Sequence, residues 1–383
     1  MIPESFSAKS PGRLVVSGDV FAFVPDPLPP NLEFDLATIQ QISAADQALG
    51  ELRGMSQMLP YPKLLVAPFS RREAIASSRI EGTIASARDL VLFDVSPIKE
   101  SANSDVHEVH NYVRALELGL AGLKELPVCL RLIREIHKRL WQGVRGGEAR
   151  PGEFRLHQNY IAKAMQSIQD ARFVPPPASE LAACLNEFEK HLHASSLLPP
   201  IVRLALIHYQ FEAIHPFDDG NGRVGRLLLS LLISEWGLLE RPLLSLSRYL
   251  EANRDEYVGH LLAVSQRGAW IDWIRFFARG VQEQARDAID RSKKLLELRE
   301  RYRQKMQQAR FSANVLKLLD RLFTSPAITV GLAQQHLKVT YASARSNIRK
   351  LEEARILTPI PGLKYNQVFM ASEIVRIIET DSL

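Results

Sequence analysis

Cysteine is nearly absent from this chain: Cys129 and Cys184 are the only two in 383 residues. That excludes a disulfide framework and favours a reducing compartment. Long apolar runs are also missing. The longest, Leu227–Leu232 with its neighbours, is broken by Ser230, Ser234 and Glu235, and is too short to span a bilayer. The opening stretch, Met1 to Val16, has no continuous apolar segment behind a basic start, so no secretory signal is expected and cytoplasmic residence is the default. Excess charge is small; a net +5 does not by itself call for nucleic acid. What remains is an ordinary globular composition, 46% hydrophobic and 24% charged, in a chain long enough for two or three domains and a substantial core.

The organisation is mainly α. Residues 1–34 are proline-rich (Pro25, Pro27, Pro29, Pro30) and read as an extended arm with one short strand at Arg13–Val16. Leu36, Ile39, Ile42, Ala45, Leu49, Leu52 and Met55 recur at the three-and-four spacing of an amphipathic helix over 35–58, which Pro60 and Pro62 end. Pro68 opens another helix, through Arg71, Arg72, Ile75 and Ile80, that stops at Gly82. Further helices are expected at 103–122, 127–141, 178–193, 200–214, 220–236, 249–265 and 269–290. Between 143 and 177 the pattern changes to glycine-rich and proline-rich stretches around two β-leaning pieces, Tyr160–Ala162 and Arg172–Val174, which suggests an inserted β-hairpin. Residues 281–310 are highly charged and read as a solvated helical connector. Residues 311–383 read helix, helix, helix, two β-like pieces (Ile356–Ile360, Gln367–Ala371) and a short helix, the order of a winged-helix module.

The informative segment is His215-Pro216-Phe217-Asp218-Asp219-Gly220-Asn221-Gly222-Arg223-Val224-Gly225-Arg226. It lies between two apolar helical runs and therefore is a loop that opens a helix. Gly220 and Gly222 let the backbone approach a ligand closely, and the free N–H groups of a helix start form an anion site. Arg223 and Arg226, three apart, share one helix face and suit a polyphosphate. Asp219 offers a hard oxygen for Mg²⁺ bridging phosphates. His215 can serve as a general base near neutral pH. Phe217, apolar in a polar loop, should point into the core and anchor it. The leucine-rich run that follows should form a central buried helix beneath the loop.

This segment resembles the Fic family motif, HxFx(D/E)GNGRxxR, at every specified position. The resemblance implies a helical Fic fold with a β-hairpin flap and a protein adenylyltransferase activity that uses ATP and Mg²⁺. By it, His215 deprotonates a Tyr, Ser or Thr hydroxyl, which attacks the α-phosphate. Asp219 holds the metal, Gly220, Asn221 and Gly222 form the anion hole, and Arg223 and Arg226 balance the β- and γ-phosphates. Residues 151–155 (ProGlyGluPheArg) and 174–177 (ValProProPro) look like the edges of the flap, about 151–177, where a target protein docks by β-pairing. The stretch 247–257 looks like the adenine-side helix, with Asn253 and Tyr257 beside the base. Ser77, Glu81 and Gly82 fit the inhibitory pattern (S/T)xxxE(G/N), in which the glutamate pairs with Arg226 and blocks the γ-phosphate. The resemblance spans roughly residues 35–280, with an N-terminal module over 35–125 and a catalytic core over 126–280.

Other readings stand beside it. His208, Glu212 and His215 lie at i, i+4, i+7 and could offer a metal three ligands, but Pro216 ends the helix and a fourth is missing. Within the fold, phosphate transfer is an alternative, although relatives of that kind replace the second motif glycine with lysine and this chain keeps Gly222. Glu81 also keeps AMP removal open. The tail 310–383 carries ten Lys or Arg against six Asp or Glu, most of the chain's net charge. Residues 340–351 read as a candidate recognition helix that could present Tyr341, Ser343, Arg345, Ser346 and Arg349 to DNA. A homodimer that covers or exposes the inhibitory helix also fits.

Overall fold

A computed structural model of the chain describes residues 3–58, 63–95, 104–144, 150–162, 167–309, 311–360 and 367–379. Pro60, Pro62, residues 145–148 of the glycine-rich stretch, the flap tip at 163–166, and Arg310, Lys364 and Asp381 lie outside the described residues.

The chain opens with an antiparallel hairpin, β1 (Gly12–Ser17) and β2 (Val20–Pro25), with Ser17 paired to Val20. The expected lone strand is thus half of a hairpin. Its two-residue turn, Gly18-Asp19, uses the positive φ of 59° at Gly18, the conformation that tight hairpins require. Phe23 of β2 donates its backbone N–H to the Val174 carbonyl at 2.9 Å, so the hairpin lies against the return limb of the flap.

The helical body follows: α1 (Leu36–Met58), α2 (Lys63–Ile80), α3 (Ala87–Val95), α4 (Ser104–Gly122), α5 (Leu130–Leu140), α6 (Ala178–His193), α7 (Pro200–Ile214), α8 (Asn221–Glu235), α9 (Leu246–Ala252), α10 (Arg254–Arg267) and α11 (Trp270–Gln308). Asp35 caps α1 by accepting the Thr38 N–H at 2.7 Å. Ile42, Ala45, Leu49 and Leu52 face the core, while Leu36 and Ile39 stay exposed. Pro200 sits at the first position of α7, where its missing N–H costs nothing. Pro68 does not start α2 but lies inside it, where it forfeits one hydrogen bond. The expected single helix over 249–265 is two, α9 and α10, with Asn253 between them.

The centre is the pair α7 and α8. Both are buried almost all round, and α2, α4 and α5 pack about α8. This gives the connecting loop a rigid base. The flap is less regular than a hairpin: among the described residues its limbs share one antiparallel bridge, Ile161 to Phe173.

The expected solvated connector is instead part of α11, one helix of 39 residues. Ala285, Ala288, Ser292, Leu295, Leu298, Tyr302 and Met306 form a buried stripe along it. Small residues and two buried arginines hide this stripe from a reading by hydrophobicity. Arg291 pairs with Asp287 and Arg299 with Asp320, which lets their stems pack.

The C-terminal module comprises α12 (Ala313–Thr324), β3 (Ala327–Thr329), α13 (Val330–Leu337), α14 (Tyr341–Glu353), β4 (Thr358–Pro359), β5 (Val368–Met370) and α15 (Ser372–Glu379). Its sheet is antiparallel, in the order β3-β5-β4. Thr329 and Thr340 cap α13 and α14 through their side-chain oxygens. No helix among the described residues is long and apolar enough to cross a membrane.

Leu231, fully buried in α8, tests this architecture. Leu231→Ala should destabilise the chain by about 2–5 kcal/mol, read as a lowered urea midpoint. A midpoint equal to wild type would mean that α8 is not central.

Candidate functional site

The site is the loop between α7 and α8 with the groups that hold it. His215 ends α7 in the left-handed conformation, φ 51° and ψ 62°, which a non-glycine residue adopts at some cost. Its Nδ1 lies 3.2 Å from the Glu212 carbonyl. A carbonyl only accepts, so Nδ1 carries the proton and Nε2 keeps its lone pair. Burial pushes the His215 pKa down to about 4, leaving the imidazole neutral at physiological pH.

Arg155 holds this conformation in place. It is 1% exposed and its guanidinium faces carbonyls only: His215 (2.8 Å), His157 (3.0 Å), Pro176 (2.6 Å) and Ile214 (3.3 Å). Its backbone N–H also donates to the Pro216 carbonyl at 2.9 Å. One residue therefore ties both limbs of the flap to the backbone of His215. Burial draws its own pKa down to about 10.

The rest of the loop closes on itself. Phe217 is fully buried and stacks on His137, ring centres 3.8 Å apart. Asn221 accepts the Phe217 N–H and donates to the Phe217 carbonyl, both at 2.8 Å. The Asn221 side chain is thus spent on loop shape, leaving its backbone at the helix start. His137 takes the Gly152 N–H on Nδ1 at 2.8 Å, which places its proton on Nε2, 3.0 Å from the Asp219 carbonyl. Asn159 donates to the carbonyls of Phe217 and Asp218. Asp219 itself is exposed and accepts the Gly220 N–H at 2.5 Å. Gly220, at φ 80°, caps α8. Behind it the first-turn N–H groups point into the loop, an arrangement suited to an anion.

The two arginines differ. Arg223 donates to Glu108 at 3.1 Å and lies 4.9 Å over the Trp141 ring. Arg226, 2% exposed, is enclosed by the end of α2. It donates to the Ser77 hydroxyl (2.8 Å), the Ser77 carbonyl (2.9 Å) and the Glu81 carboxylate (2.6 Å). Burial is the largest single influence on Glu81 and would raise its pKa, but the charge and hydrogen bond of Arg226, joined by the charge of Arg223, together hold the carboxyl below its ordinary value. A side chain at Gly222 would collide with the same carboxylate. Gly82, at φ 92°, turns the chain out of α2 just after Glu81. Glu212, nearby, has its carboxyl pushed up to about 7 by burial, which weakens it as a rival for Arg226.

Asn253 is half-buried at the break between α9 and α10, donating to the Tyr249 carbonyl at 2.9 Å. Tyr257 is buried, its hydroxyl 2.8 Å from His208 Nε2, so it supports the core under the loop and does not line an open surface. That bond, and the turned-out backbone of His215, separate the His208, Glu212 and His215 trio. Among the described residues no group of three His, Cys, Asp or Glu is arranged to hold a metal. A divalent cation brought with phosphates needs fewer protein ligands, and the exposed carboxylate of Asp219 beside the helix start fits that role.

Sequence reasoning passed over Arg155, His137 and Asn159. Their targets are backbone carbonyls and ring faces, which no spacing rule encodes. Only the ProGlyGluPheArg stretch hinted at the first.

Two family models match the chain: Fic/DOC family N-terminal over residues 39–121 and Fic/DOC family over residues 127–233. A "Probable protein adenylyltransferase" of Aquifex aeolicus is 30% identical over 212 residues, 53% of this chain and 61% of that protein. The "Protein adenylyltransferase Fic" of Drosophila virilis is 32% identical over 176 residues, 44% of this chain. The chain spans 61% of the length of the former and 33% of the latter. A Fic family protein of Desulfovibrio desulfuricans superposes with a TM-score of 0.57 at 18% identity, over 90% of this chain and 98% of that one. A Fic domain containing signaling protein of Bacteroides thetaiotaomicron gives 0.51 at 19% identity, over 65% of this chain and 95% of that one. At these identities the likeness is one of fold.

Arg155→Met should cost on the order of 3 kcal/mol, because buried carbonyls lose their donor, and should raise the His215 pKa, since the Arg155 charge lowers it. Thermal unfolding and imidazole NMR titration read the two effects. An unchanged midpoint and an unchanged titration would contradict the positioning role.

Proposed function

Because the chain belongs to the Fic/DOC family, we propose that it transfers AMP from ATP to Tyr, Ser or Thr hydroxyls of a target protein and of itself, and that Glu81 restrains the reaction. The neutral His215 at the mouth of a helix-start anion site is the observation that carries this reading.

The chemistry follows from the geometry. The nucleotide phosphates lie over the first turn of α8, facing the backbone N–H groups of Gly220, Asn221 and Gly222. The target hydroxyl, delivered by the flap, sits at Nε2 of His215. As its oxygen bonds to the α-phosphorus, its proton passes to Nε2 and the bond from the α-phosphorus to the departing pyrophosphate breaks. Arg223 and Arg226 balance the charge that collects on the β- and γ-phosphates. Asp219 would hold Mg²⁺, which neutralises phosphate charge when bound. Arg155 links the flap to the base, so the target strand and Nε2 keep one register.

While Glu81 occupies the fork of Arg226, the γ-phosphate lacks its partner and ATP cannot settle in line. Gly222 stands where the phosphate-transferring relatives carry lysine, which supports AMP transfer over phosphate transfer. AMP removal shares the same groups and needs Glu81 to remain.

The C-terminal module has the order of a winged helix. Two arginines of its expected recognition helix pair with glutamates of the same helix, Arg349 on its exposed face. Arg345 bonds Glu352 at 2.7 Å and lies 4.9 Å over Phe369, and Arg349 bonds Glu353 at 3.0 Å.

Incubation with α-labelled ATP and Mg²⁺ tests the proposal. Label on the protein should rise in Glu81→Gly and fall about 10²–10⁴-fold in Glu81→Gly/His215→Ala, the range for losing a general base. Transfer from γ-labelled ATP alone would move the chain to the phosphotransferase reading. The pH profile adds a second check. A base protonated below its pKa cannot accept, and the Glu81 charge raises the His215 value of about 4, so Glu81→Gly activity should stay level through neutral pH and halve no higher than about pH 4. Half-loss near the ordinary imidazole value of about 6.5 would mean that His215 is not the buried base described here.

A further inference from the structure

The inhibitory helix α2 has two ends with different tasks. Its C-terminal end brings Ser77 and Glu81 to Arg226. Earlier in the same helix stand two consecutive buried arginines, Arg71 and Arg72, 9% and 7% exposed. Neither faces the nucleotide site. Arg71 donates to the Thr324 carbonyl at 2.9 Å and to Asp94 at 2.7 Å. Arg72 donates to the Ile378 carbonyl at 3.2 Å and pairs with Asp287 at 3.2 Å. From α11, Arg291 pairs with the same Asp287 at 2.7 Å and donates to the Ile377 carbonyl at 2.6 Å.

The three carbonyls share one property. Thr324 is the last residue of α12, and Ile377 and Ile378 lie in the last turn of α15. The last carbonyls of a helix have no partner within it, and the macrodipole makes that end favour a cation. Three buried guanidinium groups therefore satisfy the C-terminal ends of two helices of the C-terminal module. Two of these groups belong to the inhibitory helix itself. The N-terminus of α3, just after the Glu81 turn, is also gripped, with the Arg88 N–H 3.3 Å from the Glu379 carboxylate.

Close packing does not seal this seam throughout. A cavity of about 310 Å³ lies between α2 and the end of α15, bordered by Ile75 and Arg79 on one side and Ile378 and Glu379 on the other. Beside this unfilled space, the directional hydrogen bonds to helix ends add to an apolar contact in which α12 packs on α2 and the module joins the continuous core.

We propose that the C-terminal module is a clamp on the inhibitory helix: its helix ends hold Arg71 and Arg72, this holds Glu81 on Arg226, and displacement of the module releases the brake. This rests on the reading of Glu81 as inhibitory. It gives the module a regulatory task that requires no nucleic acid, and it makes any partner that pulls α15 from α2 an activator.

The test uses the full chain. Arg72→Gln removes one grip. Asp287→Asn is a milder variant that disturbs Arg72 and Arg291 together and serves if the first folds poorly by circular dichroism. Two quantities are read: hydrogen exchange of peptides covering 63–81, and self-labelling from α-labelled ATP. The expected result is exchange about tenfold faster over 63–81, with labelling raised toward that of Glu81→Gly. Adding either variant to Glu81→Gly should produce no further rise, because the brake is already absent. Unchanged exchange over 63–81 would overturn the clamp, as would faster exchange with no gain in label while Glu81→Gly is active. A gain that adds to that of Glu81→Gly would overturn it too. If Glu81→Gly carries no label at all, the transferase reading fails on its own, and the exchange measurement still decides whether the module holds the helix.

Discussion

A guanidinium buried at the start of the central helix is the constraint around which this molecule is arranged. Arg226 has almost no contact with water, and a buried charge must be paired or become very costly. Its place on the first turns of α8 also makes it the natural partner of a polyphosphate. The charge therefore has two possible occupants, one carried in by the nucleotide and one built into the chain. Glu81 is the second, with Ser77 supplying two further contacts to the same fork. Under the proposed function, autoinhibition is competition for one buried cation, not a separate device laid over the active site.

The second requirement of the proposed function is a base that is neutral and fixed. His215 meets the first condition by burial, which disfavours the imidazolium. It meets the second by a backbone conformation that its own residue type does not favour, held by its Nδ1 bond and by Arg155. The same arginine spans both limbs of the flap. Under the proposed function, target docking, loop shape and base orientation thus share one mechanical element, although among the described residues the two flap limbs share a single bridge with each other.

Much of this was legible in the sequence because the chemistry lies in a contiguous stretch. From His215 to Arg226, the residue types, the glycines and the leucine run behind them specify loop, helix start and buried base together. The pairing of Glu81 with Arg226, across 145 residues, followed from a pattern rather than from a distance, and the structure brings the two into contact. What was not legible has physical causes. Arg155, His137 and Asn159 act on carbonyls, and backbone acceptors leave no trace in residue identity. The stripe of α11 sets alanine, serine and paired arginines among Leu295, Leu298, Tyr302 and Met306, so charge disguised burial. The N-terminal hairpin was visible in its Gly18-Asp19 turn but was masked by the prolines around it. Tyr257 sat at a plausible spacing, yet its hydroxyl is turned inward to His208.

In the proposed clamp, the C-terminal module and the candidate nucleotide site meet through one helix, which supplies guanidinium groups near one end and receives one at the other. A contact of that form couples a distant surface to catalysis without any change in the catalytic residues. The claim on which everything else depends is that Glu81 and ATP compete for Arg226. Titration calorimetry of Mg-ATP into the wild-type chain and into Glu81→Gly measures this directly. The account predicts that the variant binds tighter by about tenfold or more, equivalent to ~1.4 kcal/mol. Equal affinities would show that Glu81 does not hold the nucleotide's place, and would contradict it.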